Sequence, residues 1–320
     1  MRSAQTRVRP PHPGLCKLPL PGPGYRKESV MTGKQTPDRK GVRLYPPPSK
    51  DFDPFAATKK DLMRHGLPLR PDPQTQPGMA ALWERQADRY RNFEHLEARP
   101  DTTTADKKAV TAPALGPDPI ESCGYQLFSS LAPFTALFVT WTVPDLRFVP
   151  GPFDPIDHFH TFVGLGFLDV HVEMTVDSAQ NVTSQIWAQG VGLINLPVRP
   201  GDVISGALCL DTNPPGTAHY FLTNETTLQT INFTVDTGFP PAVTINAGVT
   251  RSGDPNVPPF EHPLARFGVV YFDEISAYTT SGSRSLTAGD AITMVDQNGR
   301  ILARPVRLND FAFKTVYAAT

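Results

Sequence analysis

Three titratable side chains alternate along one predicted strand. From Leu168 to Asp177 every second residue is apolar, and Asp169, His171 and Glu173 occupy the opposite face of the strand. Side chains two residues apart in a strand share a face and stand about 6.6 Å apart. Carboxylates and an imidazole at this spacing suit acid–base catalysis or metal binding. A solvated sheet face would show the same alternation, so both interpretations stay open.

A second group combines two histidines with carboxylates. His158 and His160 share a strand face close to Asp154 and Asp157, an arrangement that can bind zinc. No further cysteine or histidine lies at a characteristic spacing, and the chain contains no HExxH, CxxC, Walker A or GxSxG motif. We therefore expect neither a metal ion nor another cofactor.

The elements that must position these side chains are strands. Beyond residue 120, runs of β-branched and aromatic residues alternate with turns rich in Pro, Gly, Asn and Asp, and about ten strands are predicted between residues 135 and 317. This pattern is typical of an all-β, antiparallel sandwich or barrel. Two stacked sheets would bury a sufficient core without disulfides.

The 320-residue chain divides into two oppositely charged parts. Residues 1–110 carry 21 basic and 12 acidic side chains, a net charge of +9, whereas the remaining 9 basic and 19 acidic side chains give −10. Prolines predict a disordered arm over 1–50. Apolar periodicity predicts a short helical segment over 51–98, with helices at about 54–65 and 78–98. A Thr/Ala/Pro linker over 99–119 then leads to a single domain over 120–320.

Opposite charges favour docking of the basic segment on the acidic domain, in the manner of a propeptide. Met31 is an alternative start to Met1, because nothing before it has a structural pattern. Whether the segment is removed stays open.

Composition also excludes several partners. The longest nearly apolar stretch, 131–141, is about half of the roughly 20 residues that a membrane helix needs. The domain after residue 110 has too low a charge density for nucleic-acid binding. No secretory signal is readable from Met1 or Met31, which favours a cytoplasmic over a secreted location.

Four blocks in the acidic domain follow one another in an order known from one family. Thr140-Trp141-Thr142-Val143-Pro144 is followed by Phe162-Val163-Gly164-Leu165, by a Pro-Gly-Asp turn at 200–202, and by the strand at 265–272. In this order they resemble the glutamic peptidases, also called eqolisins (peptidase family G1/A4), of bacterial type. The resemblance implies a two-sheet β-sandwich, a jelly roll like that of concanavalin A, which these enzymes use for acid endopeptidase chemistry.

The resemblance breaks at the catalytic pair. The family uses a glutamate as general base and a glutamine that orients the attacking water and stabilises the oxyanion. Asp169 stands at the glutamine position of a Leu-Gln-x-Gly motif, and Gln189 stands at the glutamate position of a Trp-Tyr-Glu-Trp motif. Both catalytic positions are therefore substituted. The resemblance also implies a cleft lined by five side chains, namely Trp141, Phe162, His171, Glu173 and Trp187.

Three functions follow from this pattern. The first is a catalytically degenerate protein that binds an extended peptide or a glycan in its concave cleft. The second is an acid endopeptidase with exchanged roles, in which Asp169 is the general base and Gln189 the oxyanion donor; a general base misplaced by about 1 Å can cost on the order of a hundredfold in rate. The third is a lectin-like module, supported by fold analogy alone. Whether the protein is an enzyme stays open at this point.

Overall fold

The computed structural model describes residues 41–100, 121–151, 156–212, 215–236, 241–252 and 263–319. Residues 1–40 and 101–120, which hold most of the predicted arm and the predicted linker, lie outside this part of the chain. Within the segment predicted to be disordered, Val42–Leu44 forms a strand, β1, that pairs antiparallel with residues 233–235.

Two helices follow β1, and both differ in extent from the prediction. Helix α1 spans Lys59–Arg64 and begins at a capping box in which Thr58 and Asp61 satisfy each other's backbone N–H groups. Asp53, which directly precedes the predicted start of this helix, instead accepts a hydrogen bond from the N–H of Phe55 and closes a separate turn. Helix α2 spans Pro77–Asn92, with proline in its first turn, and ends before the short strand β2, Glu94–His95. No helix in the described ranges is long and apolar enough to cross a membrane.

The remaining strands build two antiparallel sheets, which confirms the predicted all-β sandwich. In the described residues the larger sheet contains β1 and β2 with nine further strands: β4 (Phe134–Thr142), β9 (Val203–Thr212), β10 (Pro215–Asn224), β11 (Gln229–Asp236), β13 (Val269–Thr279), β14 (Gly282–Arg284), β16 (Met294–Val295), β17 (Ile301–Arg307) and β18 (Phe313–Tyr317). Its main path runs in the order β1-β11-β10-β9-β4-β13-β18-β17-β16.

The smaller sheet contains the strand with the three titratable side chains. Its seven strands, again counted over the described residues, are β3 (Ser122–Phe128), β5 (Ile156–Leu165), β6 (Leu168–Asp177), β7 (Val182–Ala188), β8 (Gly192–Ile194), β12 (Thr244–Ser252) and β15 (Gly289–Ile292). They lie in the order β15-β3-β12-β5-β6-β7-β8, so β6 is flanked on both sides.

The core lies between the two sheets. Val170, Val172 and Met174 of β6 are fully buried and belong to one continuous apolar cluster with residues of the larger sheet. The alternate residues of β6 must then point away from this core, onto the outer face of the smaller sheet. The packing of the two sheets therefore decides where the titratable side chains lie.

The outer face of the larger sheet is covered by the helical segment. A second apolar cluster joins the two. It contains Leu62, Leu67, Trp83 and Tyr90 of the helical segment with Phe138, Ala207 and Phe221 of the sheet. The indole N–H of Trp83 donates to the carbonyl oxygen of Pro68 at 2.8 Å. Because the helices pack on the larger sheet, they lie on the side of the sandwich opposite β6.

Arg89 of α2 fastens the helix to that sheet. Its Nε lies 3.0 Å from Oε1 of Glu225, and its Nη2 lies 2.7 Å from Oε2 of Glu274. The guanidinium also lies over the ring of Phe138, 5.2 Å from its centroid. Glu274 adopts a left-handed backbone, φ 53°, within an irregularity of β13 that directs its carboxylate to Arg89 and to the hydroxyl of Thr140.

Acid should weaken this attachment. Burial acts to raise the pKa of Glu274, but the hydrogen bond and charge of Arg89, with the bond from Thr140, outweigh it and hold the pKa below its ordinary value of 4.5. Such a carboxyl stabilises the fold above its unfolded pKa, and the contribution is lost as pH falls through the folded value. In urea unfolding, Glu274→Gln should lower the free energy of unfolding at pH 7 and have a smaller effect at pH 3. Equal effects at both pH values, or the same pattern in the exposed control Glu97→Gln, would contradict this account.

Two glycines set the closest approach of strands in the smaller sheet. Gly124 of β3 pairs with Gly248 of β12, and a Cβ atom on either would overlap the backbone carbonyl oxygen of a residue on the other strand, Ala247 or Cys123. Since backbone cannot yield as a flexible side chain can, only glycine fits at both positions. At this pair of positions on β3 and β12, the outer face therefore carries no side chain.

Gly248→Ala should destabilise the protein by about 1–3 kcal/mol, the usual cost of overpacking, or more if β3 and β12 separate. Gly78→Ala in α2 is the control, because its nearest neighbour atoms would be 3.9 Å from the new Cβ. Urea unfolding of both variants measures the difference. Equal stabilities would show that the two strands can part without cost.

Candidate functional site

A row of polar side chains crosses the outer face of the smaller sheet. Strand register pairs Asp290 with Gln126, Gln126 with Asn246, Asn246 with Gly164, and Gly164 with Asp169. Gln189 continues the row beyond the end of β7, and its N–H donates to the carbonyl oxygen of Asp169 at 2.9 Å. Directly paired residues in an antiparallel sheet point to the same face, so these positions form one line across five strands and the adjoining turn.

Gly164 opens a notch in the middle of this row. A Cβ atom placed on Gly164 would lie 3.9 Å from the Cβ of Asp169 and 4.0 Å from the Cβ of Asn246. The carboxyl of Asp169 and the carboxamide of Asn246 therefore flank a position that has no side chain. A chain or water molecule could approach the sheet backbone most closely there.

The next row holds a histidine fixed on three sides. His171 Nδ1 lies 2.7 Å from Oδ2 of Asp169. Its ring is nearly parallel to that of His160, with centroids 5.0 Å apart and an interplanar angle of 10°, and to that of Trp187, at 6.3 Å and 8°. Because a carboxylate only accepts hydrogen bonds, Nδ1 carries the proton of this bond, and Nε2 lies on the side of the ring away from Asp169.

A third row places a carboxylate beside the other histidine. Glu173 Oε1 lies 4.0 Å from Nε2 of His160, and Glu173 Oε2 accepts a hydrogen bond of 2.8 Å from the side-chain amide of Gln185. Both His160 and Glu173 are buried. A plain solvated face would leave such groups exposed, so their burial favours a built site over the alternative that the sequence left open.

Most of the predicted site residues come together on this face. Asp169, His171 and Glu173 follow one another along β6, and Phe162 and Trp187 flank His171 on the neighbouring strands. Gln189 adjoins Asp169 through the backbone hydrogen bond described above.

The prediction that Trp141 lines the cleft is wrong. Trp141 is 1% exposed, belongs to the core between the sheets, and donates its indole N–H to Thr161 Oγ1 at 3.0 Å. The alternation of β4 turns Val139 and Trp141 towards the smaller sheet, so the side chain lies beneath the cleft floor.

Asn246 and Gln126 were missed by the sequence analysis. Asn246 lies within an otherwise apolar run, where a lone polar residue is a weak signal, and β3 with Gln126 was not predicted at all. Only strand register brings both next to Asp169, and register between distant strands has no local sequence mark.

The second predicted group lies partly outside the described residues. Asp157 accepts a hydrogen bond from the N–H of Val149 at 2.6 Å, and Asp154 lies outside the described residues. In the part of the chain that the structure describes, no group of three or more His, Cys, Asp or Glu side chains could hold a metal ion.

Tyr220 supports the row from the core. Its hydroxyl crosses from the larger sheet and donates to the carbonyl oxygen of Gln189 at 3.1 Å. Burial, and secondarily the charge of Asp169, raise the pKa of Tyr220 well above its usual value, so the hydroxyl keeps its proton. Both backbone polar groups of Gln189 are thus held, one by Asp169 and one by Tyr220.

Comparison with known proteins decides the family. The model of the Peptidase A4 family matches residues 121–312, which include every described strand except β1, β2 and β18. The chain belongs to the Peptidase A4 family. This confirms the resemblance to glutamic peptidases, whereas the bacterial type and the substitution of the catalytic pair stay predictions.

Solved structures of glutamic peptidases are among those that match the chain. Scytalido-glutamic peptidase with a peptide-based transition-state analogue is 13% identical, covering 62% of this chain and 98% of its own, with a TM-score of 0.49. SCP-B, an eqolisin in complex with the tripeptide Ala-Ile-His, is 14% identical, covering 62% of this chain and 98% of its own, with a TM-score of 0.49. Aspergilloglutamic peptidase from Aspergillus niger is 15% identical, covering 50% of this chain and 99% of its own, with a TM-score of 0.41. No curated protein sequence matches the chain.

In this Peptidase A4 member, Tyr220→Phe should loosen the end of β7. The variant leaves the carbonyl oxygen of Gln189 without its donor, which costs about 1–3 kcal/mol when the group stays buried. Urea unfolding should show this loss, and amide hydrogen exchange at Gly190 and Val191 should become faster. Tyr271→Phe, on the exposed outer face of the larger sheet, should change neither. Unaltered exchange in Tyr220→Phe would mean that the hydroxyl does not hold the turn.

Proposed function

We propose that the outer face of the smaller sheet binds an extended polypeptide, and that the protein is catalytically degenerate as a glutamic peptidase. One observation carries the second part: the carboxylate of Asp169 is hydrogen-bonded to His171 Nδ1 at 2.7 Å. This bond engages Oδ2 of Asp169 with a side chain of the protein itself. The glutamic-peptidase mechanism instead needs a carboxylate free to take a proton from water.

The exchanged-role endopeptidase fits the geometry less well. It requires Gln189 to donate to an oxyanion while Asp169 activates the water. Gln189 follows directly after β7 and lies beside Asp169, whereas the amide across the Gly164 notch from Asp169 belongs to Asn246. A reacting carbonyl must lie about 3 Å from both the nucleophile and the oxyanion donor, and preorganisation of that kind is lost when either group is displaced.

A polypeptide ligand fits the face better than a glycan. Gln126, Asn246 and Gln189 provide carboxamides in one line, and each can both donate to and accept from a peptide backbone. Sugars bind lectin-like sites through exposed aromatic faces, but Trp187 is 6% and Phe162 3% exposed. Both rings are occupied by contacts within the protein, so neither offers a free face to a sugar.

Binding and cleavage of denatured casein test the proposal. We expect fluorescence anisotropy to show binding of labelled, denatured casein, and we expect no cleavage from pH 2 to 8. Asn246→Ala should weaken binding about tenfold, the equivalent of one buried hydrogen bond of about 1.4 kcal/mol. Glu84→Gln is the control, because Glu84 is exposed on α2, on the opposite side of the sandwich, and this variant should bind as the parent does.

Two results would contradict the proposal. Cleavage of casein that Asp169→Asn abolishes would show that the carboxylate works as a base and that the protein is an active peptidase. Binding that is the same in Asn246→Ala as in the parent would show that the polypeptide binds elsewhere.

A further inference from the structure

Four exposed apolar side chains gather at one end of the smaller sheet. Phe128 is 59% exposed, Leu131 96%, Phe167 51% and Val243 44%. We call these four residues the apolar rim. Single exposed apolar residues are common on protein surfaces, but a contiguous group commonly marks a binding site.

Backbone pairing brings the four together. Phe128 of β3 is paired with Thr244 of β12, and the N–H of Ser129 donates to the carbonyl oxygen of Val243 at 2.9 Å. The N–H of Gly166 donates to the carbonyl oxygen of Thr244 at 2.8 Å, which joins the β5–β6 turn carrying Phe167 to the same place. Leu131 lies in the turn that follows β3.

These turns are held in place. The hydroxyl of Ser129 donates to the carbonyl oxygen of Ala132 at 2.7 Å and closes the turn that contains Leu131. Gly166 has φ 63°, and a side chain there would meet Ala242, so the β5–β6 turn is packed against the segment before β12. The exposed side chains are consequently presented on fixed backbone, which lowers the entropy that a ligand must overcome on binding.

The apolar rim continues the polar row. Phe128 lies two residues beyond Gln126 on the same face of β3, and Thr244 lies two residues before Asn246 on β12. Rows two residues apart are about 6.6 Å from each other. A peptide that lies across the strands over the polar row therefore runs beside the rim, within reach of a bulky side chain.

We infer that the apolar rim binds a bulky apolar side chain of the polypeptide that lies over the polar row. The inference rests on the proposed function and adds a substrate class: extended segments with an aromatic or large aliphatic residue next to a polar stretch. A second copy of this chain is the competing occupant of such a surface, and the experiment below separates the two.

Two fluorescein-labelled decapeptides of Ser, Gly and Asn, identical except for a central Phe or Ser, test the inference with the full chain. Anisotropy titrations should show the Phe peptide binding about tenfold or more tightly than the Ser peptide. Phe128→Ser and Phe167→Ser should each reduce that ratio at least threefold. Leu228→Asn is the matched control, because Leu228 is 48% exposed in the β10–β11 turn of the larger sheet, and its φ of 56° suits asparagine. It should keep the full ratio.

The outcomes separate the two proposals. If both peptides bind equally, or if the rim variants keep the preference, the rim is not the apolar subsite, although the cleft still binds polypeptide. If neither peptide binds and denatured casein does not bind either, the proposed function fails and the inference fails with it. If sedimentation shows a dimer that Phe128→Ser dissociates, while peptide preference is unaltered, the rim is a self-association surface and the inference is wrong.

Discussion

The strict alternation of β6 is the constraint on which both the core and the candidate site depend. Val170, Val172 and Met174 fill the space between the sheets, and the intervening Asp169, His171 and Glu173 are thereby fixed on the outer face. A slip of one residue would exchange the two sets and bury three titratable groups in an apolar core. The hydrophobic energy of the sandwich thus holds the polar row in register, with no need for the polar groups to specify their own positions.

The same reasoning explains why the two sheets differ. The larger sheet is covered on its outer face by α2, which Arg89 fastens through Glu225 and Glu274, and its strands can be apolar on both faces. The smaller sheet has polar residues and glycines on its outer face. At Gly124, Gly248 and Gly164 no side chain covers the backbone of the strands. One sheet therefore serves as a support for the N-terminal helices, and the other offers its backbone and carboxamides to a ligand.

The sequence predicts the features that are marked by a pattern within one short segment of the chain. The alternation of β6 is visible in ten residues, so its face was predicted correctly. In β4 both faces are buried, because α2 covers Phe138 on one side and the core holds Trp141 on the other, so no alternation showed where Trp141 points. Only Gly166 and Phe167 separate β5 from β6, so a single glycine is the local mark of that turn. Asn246 and Gln126 join the site through pairing across distant strands, which no window of sequence contains.

The central claim is that a polypeptide binds over the outer face of the smaller sheet, and the indole N–H signals of the three tryptophans test it most directly. Trp187 adjoins His171 on that face, Trp141 lies in the core, and Trp83 lies under the helices on the opposite side. Each signal can be assigned with a Trp→Phe variant. On titration with denatured casein peptides, proton–nitrogen NMR spectra should show the Trp187 signal shifting in proportion to binding while the Trp83 signal stays in place. A shift of Trp83 with an unmoved Trp187 would place the ligand on the larger sheet and contradict the account.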